Sequence, residues 1–233
     1  MVFLRVVLVE PMYGGNIGSV ARAMMNFGFN DLVLVSPCEI EGEAYAMASH
    51  AIDLLKKSRI ADSLEDAICD SGITVGTTSK HGTTTDEHVR MPFFSPKELK
   101  KKLDGKEGIV SIIFGKEDVG LSNDLLKNLD MVVFIPTSKE YPVMNLSHAA
   151  SIILYELSDI KAGKIPMARS EDKERLYDHF ERLLIEINYP EHKKSKTLLM
   201  VRRILGRSEM TGREVQTLRG ILSRMEWRID RSR

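Results

Sequence analysis

Short apolar segments alternate with helix-forming segments through the first 160 residues, and this alternation restricts the fold more than any other feature. The predicted strands are RVVLVE, DLVLVSP, GITVGTTS, GIVSIIFG and MVVFIPT. The predicted helices cover residues 19–28, 44–57, 63–70, a segment that starts at Ser95, and residues 145–160. Because the strands are almost continuously apolar, both faces of the sheet should be covered. The pattern predicts an α/β fold with a mostly parallel sheet and helices on both faces.

The pattern changes after this first region. The segment KAGKIPMARSEDK combines Gly, Pro and charged residues without a hydrophobic period, which is typical of a linker. Farther along, apolar residues recur at helical spacing, and the segment TGRE that begins at Thr211 has the form of a capping box. We therefore predict an α/β domain, a linker and a small all-α C-terminal domain, which cover residues 1–160, 161–168 and 169–233.

Charge is distributed unevenly along the chain, although the formal net charge is zero. From Pro190 to the end, twelve Lys and Arg residues stand against five acidic residues, so this part carries +7 and the remainder −7. A basic tail on an acidic body indicates either a polyanionic partner, for which nucleic acid is the commonest candidate, or a solvated helical face.

Composition also bears on the compartment. No apolar run approaches the roughly 20 residues of a membrane span, and the N-terminus leads directly into a strand, so we predict no signal peptide. Cys38 and Cys69 are isolated, and the spacing of His81 and His88 does not suit a metal site. We predict a cytoplasmic protein without a bound metal.

A glycine-rich turn, GGNIGSVARAM, connects the first strand to the first helix. Its glycines follow G-G-x-x-G, whereas a dinucleotide-binding turn has G-x-G-x-x-G and an acidic residue after the second strand, where this chain has Ser-Pro. Three interpretations stay open at this point. They are an oxidoreductase with a nicotinamide cofactor, a turn that needs glycine for close packing, and a catalytic turn that presents Asn16 and Arg22.

Two further segments place polar residues at strand ends. IIFGKEDVGLS carries Glu117 after its strand, and FIPTSKEYPVMNLSHAASIILYE carries Asn145 before its helix. In open α/β sheets the carboxyl ends of the strands are where ligands bind. Taken singly, Glu117 is also what a solvated turn contains, and Asn145 is a common helix cap.

Together, in this order and spacing, the three segments resemble the motifs of the SpoU/TrmH family of SPOUT methyltransferases. The family patterns N-x-G-N/S-I-G-x-x-A-R and F-G-x-E-x-x-G-L correspond to GGNIGSVARAM and FGKEDVGLS, and NLSHAASIILYE corresponds to the last motif. The resemblance implies a C-terminal trefoil knot in the sheet domain, S-adenosylmethionine as cofactor and methyl transfer to a ribose 2′-hydroxyl of RNA. The basic helical extension is similar to that of the TrmJ branch, which implies tRNA methylation in the anticodon loop, at a site of the position 32 type.

The resemblance assigns cofactor binding mainly to backbone groups at three strand ends. An adenine needs an apolar slot with backbone donors and acceptors, and loops at strand ends supply both. The residues expected to bind the cofactor are Thr77, Thr78, Ser79, Gly115, Ile135, Val143, Met144, Asn145 and Leu146.

The resemblance also implies four catalytic residues. Because a guanidinium is effectively always protonated, we expect Arg22 to orient the target phosphate and to stabilise developing negative charge, rather than to act as the base. We expect Asn16 to fix the ribose or Arg22, and Glu117 to orient one of these two side chains. Asn145 is expected to hold the loop over the cofactor.

Basic residues are expected to contact the RNA, and the resemblance implies a homodimer through the knotted domain. The predicted RNA-binding residues are Arg22, Lys80, His81, Arg90, Arg219 and Arg224. One departure from the family pattern is Val143, where many members have serine, so Ser138 or Tyr141 would have to supply a hydroxyl. An rRNA substrate, and a knotted RNA-binding protein without activity, remain alternatives.

Overall fold

The computed structural model describes residues 2–79, 89–161, 163 and 165–231. Seven strands form a parallel sheet in the order β3-β2-β1-β6-β4-β7-β5, and a short eighth strand pairs with the start of β6. The strands are β1 Val2–Val9, β2 Asp31–Val35, β3 Arg59–Ala61, β4 Ile73–Thr78, β5 Phe93–Phe94, β6 Lys106–Phe114, β7 Met131–Phe134 and β8 Ile165–Pro166.

Helices cover both faces of this sheet and continue into the C-terminal part. They are α1 Gly14–Asn26, α2 Gly42–Ala48, α3 Ile52–Lys56, α4 Leu64–Ile68, α5 Pro96–Leu103, α6 Asn123–Lys127, α7 Leu146–Leu157, α8 Ser170–Glu186, α9 Glu191–Arg207 and α10 Gly212–Asp230. One buried cluster packs beneath α1, α2, α5 and α7, and a second packs beneath α4 and α6. The predicted fold class is confirmed. The trefoil knot stays a prediction.

The C-terminal helices have a core of their own. It is built around Leu176, Leu183, Val215 and Leu222, which α8 and α10 contribute. The predicted capping box is present: the Thr211 hydroxyl accepts from the Glu214 amide, and the Thr211 amide donates to the Glu214 carboxylate. In the part of the chain that the structure describes, no helix is both long and apolar enough to cross a membrane.

The first helix begins earlier than its sequence predicts, at Gly14 instead of residue 19. Glycine has a low intrinsic helix propensity, so the run of glycines indicates a turn. Packing overrides that preference, because a Cβ at Gly18 would lie 2.0 Å from the carbonyl oxygen of Ala44 in α2. The glycines let α1 approach α2 closely, which favours the packing interpretation for this part of the turn.

Gly18→Ala is expected to lower the free energy of unfolding by about 3 kcal/mol or more, because the methyl group would force α1 away from the α2 backbone. Gly42→Ala is the matched control, since nothing lies within 4 Å of a Cβ at the first residue of α2. Urea unfolding followed by circular dichroism measures both variants. Equal midpoints for the two would show that this contact does not limit stability.

The helical region docks on the amino ends of β4 and β7 through buried polar contacts. Lys173 of α8 donates from Nζ to Asp130 Oδ2 at 2.5 Å and to the Gly72 carbonyl at 2.9 Å. Asp130 Oδ2 also accepts from the Thr74 amide at 2.9 Å. Both members of this ion pair are 3% exposed, and removing either would leave an uncompensated buried charge. The helices are therefore fixed to the sheet at the edge opposite the strand carboxyl ends.

Candidate active site

A cavity of about 380 Å³ opens at the carboxyl ends of the central strands. Because β6, β4 and β7 are neighbours and parallel, the segments that follow them meet at one edge. Eight of the nine residues expected to bind the cofactor line this cavity, and Asn145 is the one that does not. The eight are Thr77, Thr78, Ser79, Gly115, Ile135, Val143, Met144 and Leu146.

The size and chemistry of the cavity fit S-adenosylmethionine. Its volume lies in the range of about 300–1,000 Å³ that is usual for small-molecule sites. Apolar side chains such as Phe114, Val133 and Ile153 line its inner part. The exposed backbone of the strand ends offers the donors and acceptors that an adenine and a ribose need.

Gly115 sets the shape of one wall. A Cβ at this position would lie 2.3 Å from the Gly120 carbonyl carbon and from the Leu121 nitrogen. The chain after β6 folds back here, and the Gly120 amide donates to the Lys116 carbonyl at 2.9 Å. This tight loop, residues 115–121, carries Glu117 toward the first motif.

Three polar side chains from the three motifs form one hydrogen-bonded chain beside the cavity. Asn145 Nδ2 donates to Asn16 Oδ1 at 2.9 Å, and Asn16 Nδ2 donates to Glu117 Oε1 at 2.9 Å. The second carboxylate oxygen, Oε2, accepts from the Met12 amide at 2.9 Å. Residues more than 100 positions apart in the sequence are thereby held in one fixed arrangement.

Helix starts position two members of this chain. Asn16 lies in the first turn of α1, which follows β1. Asn145 is the cap of α7, and its Oδ1 accepts from the Ser147 amide at 2.8 Å and from Ser147 Oγ at 2.7 Å. Because capping occupies the Asn145 oxygen, its amide nitrogen is left to donate to Asn16. The cap function and the site function of Asn145 therefore coexist.

Arg22 lies apart from the hydrogen-bonded side chains of Asn145, Asn16 and Glu117. It is exposed on α1 and forms no hydrogen bond or ion pair with any residue that the structure describes. Six residues separate it from Asn16, which is about 9 Å along a helix axis. Glu117 therefore holds Asn16 and not Arg22, which decides between the two partners expected from the sequence.

The other predicted contacts are dispersed. Lys80 and His81 lie outside the described residues. Arg90 lines the cavity itself. Arg219 is half-buried, whereas Arg224 is exposed and its guanidinium lies 3.9 Å from the centre of the Trp227 ring. Tyr141 is 81% exposed.

Sequence reasoning missed two features of the site. Lys116 forms an ion pair with Glu10, which joins the loop after β6 to the loop after β1. The Met12 amide contributes to the polar chain through its backbone, which no side-chain pattern signals. Both features lie next to strand ends, and in the sequence only this position indicated that they could belong to the site.

Cys38 is close to the site but does not suit a nucleophilic role. Burial raises the pKa of the Cys38 thiol, and the negative charge of Glu117 raises it further. A raised pKa keeps the thiol protonated and weakly reactive. Within the described residues, no group of three or more His, Cys, Asp or Glu is arranged to hold a metal. The absence of a metal stays a prediction.

In Glu117→Gln, the methyl transfer that the motifs imply is expected to slow by about 10- to 100-fold. Glutamine has a single side-chain oxygen, so its NH2 group would face the donor of either Met12 or Asn16. Because Glu117 also lines the cavity, the affinity for S-adenosylhomocysteine is measured beside the rate. The control is Asp118→Asn, which alters the neighbouring carboxylate, whose Oδ1 accepts from the Val119 amide. Single-turnover kinetics with tRNA measure the rate. Equal rates for the two variants would show that Glu117 does not contribute to the reaction.

Comparison with known proteins decides the family. The model of the SpoU rRNA methylase family matches residues 3–155, well over half of the chain. The chain belongs to the SpoU methylase family. A second model, the C-terminal domain of the tRNA methyltransferase TrmJ, matches residues 171–233. The predicted resemblance is confirmed by both matches.

Relatives extend this result over the whole length. The tRNA (cytidine-2'-O-)-methyltransferase TrmJ of Methanocaldococcus jannaschii is 38% identical over 226 residues, covering 94% of this chain and 97% of the relative. The tRNA (cytidine/uridine-2'-O-)-methyltransferase TrmJ of Klebsiella pneumoniae is 32% identical over 240 residues, covering 96% of each. The crystal structure of TrmJ from Z. mobilis ZM4 superposes with a TM-score of 0.79 at 30% identity, covering 95% of this chain and 98% of that one.

Membership in the SpoU methylase family fixes the class of chemistry. The chain is an S-adenosylmethionine-dependent RNA methyltransferase, as the motifs predicted. The alternative of a nicotinamide-dependent oxidoreductase is wrong.

Proposed function

We propose that this chain methylates the 2′-hydroxyl of a ribose in the anticodon loop of tRNA, at a site of the position 32 type. One observation carries the proposal: the cavity that suits S-adenosylmethionine adjoins the Asn145–Asn16–Glu117 chain. The printed names of the Methanocaldococcus and Klebsiella relatives support tRNA as the substrate.

The side chains at the site mainly position the cofactor and the ribose of the RNA. Bound S-adenosylmethionine supplies an electrophilic methyl group on a sulfonium centre. Asn16, held from both sides, has a further amide hydrogen and a further oxygen lone pair with which to orient the ribose. Holding the hydroxyl in line with the reacting bond accounts for much of the rate gain.

Arg22 supplies positive charge rather than proton abstraction. Its guanidinium stays protonated near neutral pH, and its exposure leaves it free to bind a phosphate of the RNA with two parallel hydrogen bonds. It stabilises the negative charge that develops on the 2′-oxygen. The proton leaves to a phosphate oxygen or to water.

The placement of Arg22 fits a homodimer through the sheet domain, in which each site is completed at the interface. The exposed face of α1 also carries Met25, which is 53% exposed, and the neighbouring α7 presents Tyr155, which is 64% exposed. Tyr155 pairs edge-on with Phe27, the residue that directly follows α1. A face with this apolar content beside Arg22 suits a second copy of the chain. Light scattering of the purified protein tests the dimer.

The C-terminal helices are the proposed tRNA-binding region. Arg224 and the half-buried Arg219 lie on α10 within the part of the chain that carries +7. Phosphate contacts of this kind make affinity fall steeply with salt. The proposal divides the chain into a methyltransferase domain, residues 1–160, a linker, residues 161–168, and a helical domain, residues 169–233. A cytoplasmic location follows from a tRNA substrate.

The deciding experiment is methyl transfer from labelled S-adenosylmethionine to total tRNA and, separately, to rRNA, followed by nucleoside analysis. We expect a 2′-O-methylnucleoside in tRNA. A tRNA transcript with 2′-deoxyribose at position 32 is the matched control and should accept no label there. Label in rRNA alone would mean that rRNA, and not tRNA, is the substrate. Cofactor binding without label in either RNA would favour a non-catalytic RNA-binding protein.

A further inference from the structure

Arg203 of α9 is a fully buried cation whose two Nη nitrogens donate to backbone carbonyls, whereas its Nε is buried without a hydrogen-bond partner among the described residues. It is 1% exposed. Its Nη1 donates to the Leu129 carbonyl at 2.7 Å, and its Nη2 donates to the carbonyls of Val89 and Leu126 at 2.6 and 2.9 Å. Burial lowers the pKa of Arg203 to about 10, so the group stays charged near neutral pH. A charge buried at such cost points to a positional role.

The carbonyls that Arg203 holds lie behind the cofactor cavity. Leu126 and Leu129 pack against Gly76 of β4, where a Cβ would lie 2.7 Å from each of their side chains. Gly76 directly precedes Thr77, which lines the cavity. Val89 directly precedes Arg90, which also lines it. One guanidinium from the helical region therefore holds the backbone next to Arg90 and the backbone of residues 126–129, which pack behind the cavity wall at Gly76.

Arg90 differs from the other cation in the cavity wall. Lys116 is neutralised by Glu10. Arg90 forms no ion pair with the described residues, and its Nε is buried without a hydrogen-bond partner among them. A cavity that carries such a cation suits a ligand with an anionic group. S-adenosylmethionine has one anionic group, the carboxylate of its methionine end.

We propose that Arg90 binds the carboxylate of the cofactor and that Arg203 is the positioning residue that holds Arg90 in place. Arginine matches a carboxylate with two parallel hydrogen bonds. The proposal rests on the placement of the cofactor in the cavity under the proposed function. It moves Arg90 from the RNA contacts expected from sequence to the cofactor site. It also makes the helical region part of that site.

Two nucleosides separate a carboxylate contact from general damage to the cavity. S-adenosylhomocysteine contains the carboxylate, whereas 5′-methylthioadenosine has the same adenosine and thioether without the amino-acid part. Arg90→Met should weaken S-adenosylhomocysteine binding by about tenfold or more, the effect of one hydrogen bond to a charged group. Its affinity for 5′-methylthioadenosine should be unchanged. Isothermal titration calorimetry measures both affinities.

Arg203 is tested with a conservative variant and a neighbouring control. Arg203→Lys keeps the charge but cannot reach the three carbonyls in the same way, so it should also weaken S-adenosylhomocysteine binding selectively. Arg202→Met is the control, because Arg202 lies on the same helix and bonds to Glu174 and to the Asn128 carbonyl instead. It should lower Tm without changing the ratio of the two affinities. Adding Arg203→Lys to Arg90→Met should cause no further selective loss.

Each result supports or overturns a defined part of the proposal. If wild type binds neither nucleoside, the cofactor placement is wrong and the proposed function fails with it. If wild type binds S-adenosylhomocysteine and Arg90→Met binds it equally well, this proposal fails and the proposed function stands. Equal losses for both nucleosides in Arg203→Lys, or a selective loss in Arg202→Met, would reduce Arg203 to a structural role. If Arg203→Met folds, it tests the complete loss of the guanidinium and of its bonds to the three carbonyls. If it does not fold, Arg203→Lys is sufficient for the test.

Discussion

Replacement of Arg22 by alanine is expected to lower the rate of methyl transfer to tRNA by about 10²- to 10³-fold, the usual effect of removing one preorganised group that stabilises developing charge. The fold should be unaffected, because Arg22 is exposed and has no partner among the described residues. Affinity for S-adenosylhomocysteine should also persist, since Arg22 does not line the cavity. A large loss of rate without a loss of binding is the signature of a group that acts in the transition state.

The measurement is single-turnover methyl transfer with saturating cofactor, together with the Kd for tRNA. Arg22→Lys keeps the charge without the planar fork and should retain part of the activity. Asn26→Ala removes another exposed side chain of α1 and should behave as wild type. If Arg22→Ala reached the wild-type rate at saturating tRNA, Arg22 would have only a role in binding.

Gly115→Ala is expected to weaken cofactor binding strongly. The methyl group would lie 2.3 Å from two backbone atoms of the loop 115–121, so this loop must move as a unit. Glu117 would move with it and lose its contacts with Asn16 and Met12. At a cost of about 3 kcal/mol, affinity for S-adenosylhomocysteine falls by more than about 100-fold.

Calorimetric titration with S-adenosylhomocysteine measures this loss. The control is Gly220→Ala in α10, where an added Cβ meets nothing within 4 Å and a helix gains from alanine. Its affinity should equal that of wild type and its Tm should rise slightly. Unchanged affinity in Gly115→Ala would show that the loop adapts and that the close approach is not needed for the site.

Regular segments of the fold were predictable from sequence, and short ones were not. Continuous apolar runs predicted the five longer strands of the sheet domain, because a strand buried on both faces needs them. β3 and β5 have three and two residues, too few for a periodic pattern. The predicted helix over 44–57 is interrupted at Ser49, whose φ of 52° ends α2. That break depends on packing and not on local propensity.

The site was predictable where spacing carries information. The motifs brought Asn16, Glu117 and Asn145 into consideration, and the structure joins them by hydrogen bonds. The direction of those bonds was not predictable, because it depends on which atom of Asn145 the helix cap occupies. The buried position of Arg203 was not predictable, because in the sequence this arginine is one of many basic residues in the C-terminal part.

The most direct test of the central claim is a crystal structure of the protein with S-adenosylhomocysteine. We expect the ligand in the cavity at the carboxyl ends of β4, β6 and β7, in contact with the backbone at Gly115, Ile135 and Leu146. Its sulfur should face the side of the cavity nearest Asn16. A ligand bound elsewhere on the protein, or no bound ligand at a concentration that saturates binding in solution, would contradict the account.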